Sequence, residues 1–78
     1  MFINEIKGKL LKKPLEVTVT KQFIATNEDL ELYGEGDTEK EAIEDLEEGI
    51  MDLYEDLKTD NDYGNYGEYV KKFLAYIE

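Results

Sequence analysis

The hydrophobic period of this chain changes once, between Gly34 and Thr38. Upstream, "LEVTVTK" alternates: Leu15, Val17 and Val19 point one way, Glu16, Thr18 and Thr20 the other. A period of two is the signature of a half-buried strand. "QFIAT" follows with β-favouring Phe23 and Ile24, "NED" is a turn signal, and "LELYGEG" alternates again with Leu30 and Leu32 on one face. Downstream, Ala42, Ile43, Leu46, Gly49, Ile50, Leu53, Tyr54 and Leu57 share one broad side of a helical wheel for about five turns, to Lys58. Short consecutive strands with short connections make an antiparallel meander, and an amphipathic helix has to bury its stripe against it.

The helix start is marked by Thr38 and Glu41, a T-x-x-E capping box. Thr38 is expected to accept from the Glu41 N–H, and the Glu41 carboxylate to reach back to the Thr38 N–H. Gly34 and Gly36 precede it and are read as the residues that let a strand turn into a helix. A phosphate-binding loop is excluded: a third glycine is missing, Glu39 stands in its place, and Glu35, Asp37, Glu39 and Glu41 would repel phosphate. A second, shorter helix is expected from "YGEYVKKFLAYIE", with Tyr66, Tyr69, Val70, Phe73, Leu74 and Ile77 on one side. Residues 1–13 stay open between a helix interrupted at Gly8 and an edge strand. The expectation is therefore one α+β domain over residues 1–78. Its two layers are an antiparallel sheet of three or four strands and, packed on it, one long helix and a shorter C-terminal one, in the order β-β-β-α-α.

Seventy-eight residues leave a small core, and domains of this size lean on staples, partners or very regular packing. The chain has no cysteine and no histidine, which removes disulfides, thiolate nucleophiles, imidazole catalysis and most zinc sites. No cofactor and no metal are expected. In "DNDYGNYGEY" a calcium loop starting at Asp60 would want an oxygen ligand at 64, glycine at 65 and glutamate at 71. The chain has Gly64, Asn65 and Lys71, so a polar turn with Tyr63 and Tyr66 folded over the core is expected instead. Paired carboxylates are abundant but lie on the solvent side of the wheel, where nothing lifts a pKa, so no enzyme is expected. No apolar run is long enough to span a bilayer, the start lacks a signal-peptide core, and the cysteine-free composition fits the cytoplasm.

Charge is the clearest compositional clue. The net charge is −11, and all nine basic residues are lysine. Without arginine and with this balance, direct nucleic-acid binding is not expected. Residues 1–21 carry five lysines and two acids, whereas residues 28–62 carry sixteen acids against Lys40 and Lys58. Glu48, Asp52 and Asp56 are spaced four apart, an arrangement that costs an isolated helix about 0.2–0.5 kcal/mol per pair. Either this face is merely solvated or it docks a basic partner through Glu44, Glu48, Asp52 and Glu55, with Met51 exposed among them. Gly49, mid-helix, is expected to admit another backbone, from the second helix or from a dimer mate.

The run "VTVT…FIATNEDLELYGEGDTEKEAIEDLEEGI" resembles the N-terminal domain of HicB-like antitoxins over residues 15–57. Phe23, Ile24 and Ala25 match an aromatic-x-Ala strand, and Gly36, Thr38, Glu41 and Ala42 match a G-x-T-x-x-E-A motif before the helix. The resemblance implies a three-stranded sheet crossed by a helix, self-association as a homodimer or higher oligomer, and masking of a small basic ribonuclease toxin. Family members often add a C-terminal DNA-binding domain; with few residues after the long helix, and those not basic, autorepression through DNA is not expected. The function expected is a non-enzymatic, antitoxin-like protein-interaction domain. Two alternatives stay open: an acidic inhibitor that mimics nucleic acid, and a self-associating domain without a toxin.

Overall fold

A computed structural model of the chain describes residues 1–59 and 67–78. The loop expected at 60–66, with the rejected calcium loop and the packing of Tyr63 and Tyr66, lies outside the described residues. The elements run β1 (Phe2–Ile6), β2 (Lys9–Glu16), β3 (Thr18–Val19), β4 (Ile24–Asn27), β5 (Leu32–Glu35), α1 (Glu39–Thr59) and α2 (Glu68–Ile77). The α+β class, the meander and the long and short helices are as expected, while the strands are divided differently. β1 and β2 form one antiparallel sheet, and β3, β4 and β5 form a second in that order.

Residues 1–13 resolve into a hairpin. Lys7 and Gly8 both take positive φ, 47° and 85°, as the two central residues of a type I′ turn require. The register then slips: Ile3 faces Leu15 but Glu5 faces Leu10, so β2 carries extra residues between Leu10 and Leu15. Pro14 sits in that bulge, where its missing N–H breaks no ladder bond.

The strand expected from Leu15 to Thr20 is split at Val17. The Glu16 carbonyl accepts from the Asn27 side-chain amide at 2.7 Å. Val17 turns its own N–H to the Met1 carbonyl at 2.8 Å, on the opposite edge. Asn27 is 2% exposed, and its Oδ1 also accepts from the Leu30 N–H at 2.7 Å, so one buried amide joins both sheets to the β4–β5 turn. Phe23 belongs to the β3–β4 loop and not to a strand; its φ is 57°.

The helices cover one face of the sheets. α1 lies on β4 and β5, and α2 lies on β2. Between them Ile6, Leu15, Val17, Ala25, Leu30, Ala42, Leu46, Ile50 and Phe73 are buried as one core. Two hydroxyls fasten α2 to the β4–β5 turn: Tyr69 donates to the Leu30 carbonyl and Tyr76 to the Asp29 carboxylate, each at 2.6 Å. The Lys13 ammonium sits 4.2 Å from the centre of the Tyr76 ring.

Candidate functional site

The long helix begins where β5 comes close to it. Neither Gly34 nor Gly36 takes a positive φ, so the turn itself does not demand glycine. The need is for space. A Cβ on Gly34 would fall onto the Leu46 backbone nitrogen and 2.7 Å from the Ala42 carbonyl, and one on Gly36 would lie 2.9 Å from the Ala42 nitrogen. Thr38 caps as expected, its Oγ1 accepting from the Glu41 N–H at 3.1 Å. The Glu41 carboxylate reaches one residue further back than expected, accepting from the Asp37 N–H at 2.8 Å. At the outer edge of β5 the Glu35 N–H donates to the Asp45 carboxylate at 3.0 Å.

Ala42, Leu46, Ile50 and Tyr54 form the buried line of α1. A spacing of four residues slightly exceeds a helical turn, so this line winds around the helix. The winding corrects three expectations. Met51 is half-buried against the core and not exposed. Glu47, expected in solvent, is also half-buried. Gly49 is exposed and a Cβ there would meet nothing within 4 Å among the described residues, so the second helix is not the backbone it admits.

Glu44, Glu48, Asp52 and Glu55 are all exposed, in one row along the opposite side of α1. Glu44 has Lys40 at 4.0 Å and Glu48 has Lys7, from the β1–β2 turn, at 3.8 Å. Both pairs are open to solvent and each contributes about 0–1 kcal/mol at most. Burial pushes the Glu47 carboxyl up; the nearby Lys7 charge opposes this, and Glu44 adds to it.

Beside the acidic row runs an open groove of about 490 Å³ lined by Glu39, Lys40, Ile43, Glu44 and Glu47. Ile43 and Glu47 were missed as site residues. The signal was present, since Glu47 follows Ile43 by four residues and precedes Met51 by four, which sets all three in one file at the margin of the apolar stripe. Chemically the arrangement offers a line of negative charge alongside a narrow apolar strip. Among the described residues no group of three or more acids could hold a metal ion, and no helix is long and apolar enough to cross a membrane. No protein-family model, curated protein or solved structure matches the chain.

Proposed function

We propose that the chain is a non-enzymatic, antitoxin-like interaction domain that neutralises a small basic protein, such as a ribonuclease toxin, by docking it on the acidic side of α1. The observation that carries this reading is the exposed row Glu44, Glu48, Asp52 and Glu55 running beside the file of Ile43, Glu47 and Met51. Charge of one sign steers and orients a partner of the other sign, and an apolar strip within a polar rim supplies what desolvates on contact. A cytoplasmic setting goes with a cysteine-free chain of this kind. The residues that resemble the HicB-like motif, Gly36, Thr38, Glu41 and Ala42, support the same assignment, because they lie where the acidic helix starts. The strip of Ile43 and Met51 has no counterpart in a phosphate backbone and favours protein docking over nucleic-acid mimicry.

The test compares the native chain with a variant carrying Glu44→Lys, Glu48→Lys, Asp52→Lys and Glu55→Lys. Both are used for capture from native lysate, with folding checked by circular dichroism. A small basic protein is expected on the native chain and not on the variant, and the purified protein should lose its activity when mixed with the native chain at equal molarity. Ile43→Ser, which leaves the charges in place, should also weaken capture. Retention of the same basic proteins by native and charge-reversed chains would defeat this assignment.

A further inference from the structure

β2 is a border strand. Among the described residues only β1 pairs with it, and no loop or side chain hydrogen-bonds its backbone from the outer side between Lys9 and Pro14. A border strand presents a row of unpaired N–H and C=O groups, which is a template for an added strand. The same strand holds what the acidic helix leaves unexplained, the lysines at the start of the chain. Residues 1–21 carry five lysines against Glu5 and Glu16, and Lys9, Lys12 and Lys13 stand together on β2. They flank the border on both faces. Lys9 and Lys13 lean inward over the rings of Tyr54 and Tyr76, 5.3 and 4.2 Å from their centres. Leu11 turns inward between them onto the core, so Leu10 and Lys12 point outward, and both are exposed. The chain has twenty acids for nine lysines, yet among the described residues these three lysines make no ion pair. Glu48 goes to Lys7, Glu44 to Lys40, Glu68 to Lys71 and Asp29 to Lys72. Glu5 stands opposite Leu10 but on β1, one strand further from the border, and Glu16 lies beyond Pro14.

We infer that the outer side of β2, from Lys9 to Lys13, takes an extended acidic segment of a partner protein as an added strand. Main-chain hydrogen bonds hold such a segment, and its side chains on alternate faces select it. The stretch is about 17 Å long. Pro14 ends it, having no N–H to offer a ladder. Carboxylates opposite Lys9 and Lys13 on the inner face and opposite Lys12 on the outer face meet three cations, and an apolar side chain opposite Leu10 covers a leucine that is 71% exposed. The charge selects this occupant. A second copy of β2, in the two-fold pairing centred on Leu11, sets Lys9 against Lys13, and like charges directly opposite each other oppose pairing. A basic segment meets the same repulsion. A phosphate backbone has no amides to complete the ladder, and these lysines come without the arginine that grips phosphate in a bidentate way. The net charge of −11 acts weakly on a segment held here, because charges more than about 8 Å apart are largely screened at physiological ionic strength. Nothing in this inference rests on what α1 binds.

The probe is a capped peptide of sequence Glu-Glu-Val-Val-Glu, which in an antiparallel ladder sets its glutamates opposite Lys13, Lys12 and Lys9. Titrated into the native chain and followed by amide NMR, it should bind saturably and slow hydrogen exchange at outward N–H groups between Lys9 and Lys13. Two further peptides are N-methylated, each at one alternate set of amides. The one whose methyls face β2 should fail and the other should bind, a difference that charge attraction alone does not produce. A Lys-Lys-Val-Val-Lys peptide should not bind. Lys12→Glu with Lys13→Glu should weaken binding by about tenfold or more. Lys12→Glu alone, at an outward position, gives the same sign where circular dichroism shows the double variant misfolded. The variant Glu48→Gln with Asp52→Gln should bind the peptide as the native chain does, which separates this border from the acidic side of α1. Failure of the acidic peptide to bind, equal binding by both methylated peptides, or no exchange protection in β2 would overturn the inference. So would an oligouridylate that displaces the peptide from the same amides, which would give the lysines to a phosphate backbone.

Discussion

The Tyr76 hydroxyl donates to the Asp29 carboxylate at 2.6 Å, across 47 residues of chain. Lys72 stands 3.4 Å from the same carboxylate. Each partner shifts the other. The tyrosine hydrogen bond is the largest cause that holds the Asp29 carboxyl below its ordinary 3.8, with Lys72 adding to it and burial opposing. The same bond, aided by burial, pushes the Tyr76 hydroxyl from 10.0 up to about 12. The contact is complete between these limits. It is lost as pH falls through the lowered Asp29 value and as pH rises from 10 towards 12. The urea midpoint should therefore hold level over the middle range and fall at both ends. Tyr76→Phe should cost about 1 kcal/mol at neutral pH, remove this group's share of the alkaline fall and soften the acid one. A Tyr76→Phe chain with the native pH profile would show that the bond contributes nothing.

Two glycines of the helix region should respond in opposite directions. At Gly34 an added methyl meets α1 backbone, which cannot yield as a flexible side chain can, so Gly34→Ala should destabilise by about 2–3 kcal/mol or more. At Gly49 the methyl meets nothing, and Gly49→Ala should stabilise by about 0.5–1 kcal/mol through helix propensity alone. Chemical denaturation of the two variants checks both signs. A destabilised Gly49→Ala would indicate that another molecule covers this part of the helix.

Asn27 is 2% exposed and serves the Glu16 carbonyl and the Leu30 N–H at once. Asn27→Ala should cost about 2–3 kcal/mol, because it leaves two backbone groups without partners. Asn27→Asp keeps an acceptor for Leu30 but sets a carboxylate against the Glu16 carbonyl. Its stability should improve as pH is lowered through the carboxylate range, a trend absent from Asn27→Ala, and urea titrations at several pH values separate the two.

Phe23 holds a φ of 57° with a side chain 40% exposed. A bulky residue in the left-handed region costs about 1–2 kcal/mol, whereas asparagine tolerates it. Phe23→Asn should be neutral or stabilising by up to about 1 kcal/mol in thermal unfolding. A clear loss of stability would mean that the ring contributes more to packing than its exposure suggests.

Much of α1 could be read in advance because its signals are local. Thr38 and Glu41 lie three residues apart, and the apolar stripe repeats within a turn. The β1–β2 hairpin was ambiguous because Lys7-Gly8 is not the Asn-Gly or Asp-Gly pair that announces a type I′ turn, and because the bulge around Pro14 destroys the alternation that would have marked β2. The break at Val17 depends on the Asn27 amide eleven residues away, which no window over residues 15–20 contains. The roles of Gly34 and Gly36 were misassigned for the same reason: both serve a backbone approach that exists only once the helix has folded back. In the candidate site, the exposed acids were identified but Ile43 and Glu47 were not, because a fixed wheel does not follow a line that winds.

The hydrogen bond from the Glu35 N–H to Asp45 lies on an open border of the three-stranded sheet. β5 is a terminal strand, and a terminal strand invites further strands to add to it. Here a helix carboxylate occupies one of the donors an incoming strand would need, and places a negative charge at the point of addition. At the other side of the same sheet, β3 is two residues long, too short to template growth. A side chain at one border and a very short strand at the other leave this three-stranded sheet few free backbone groups for a further strand to pair with.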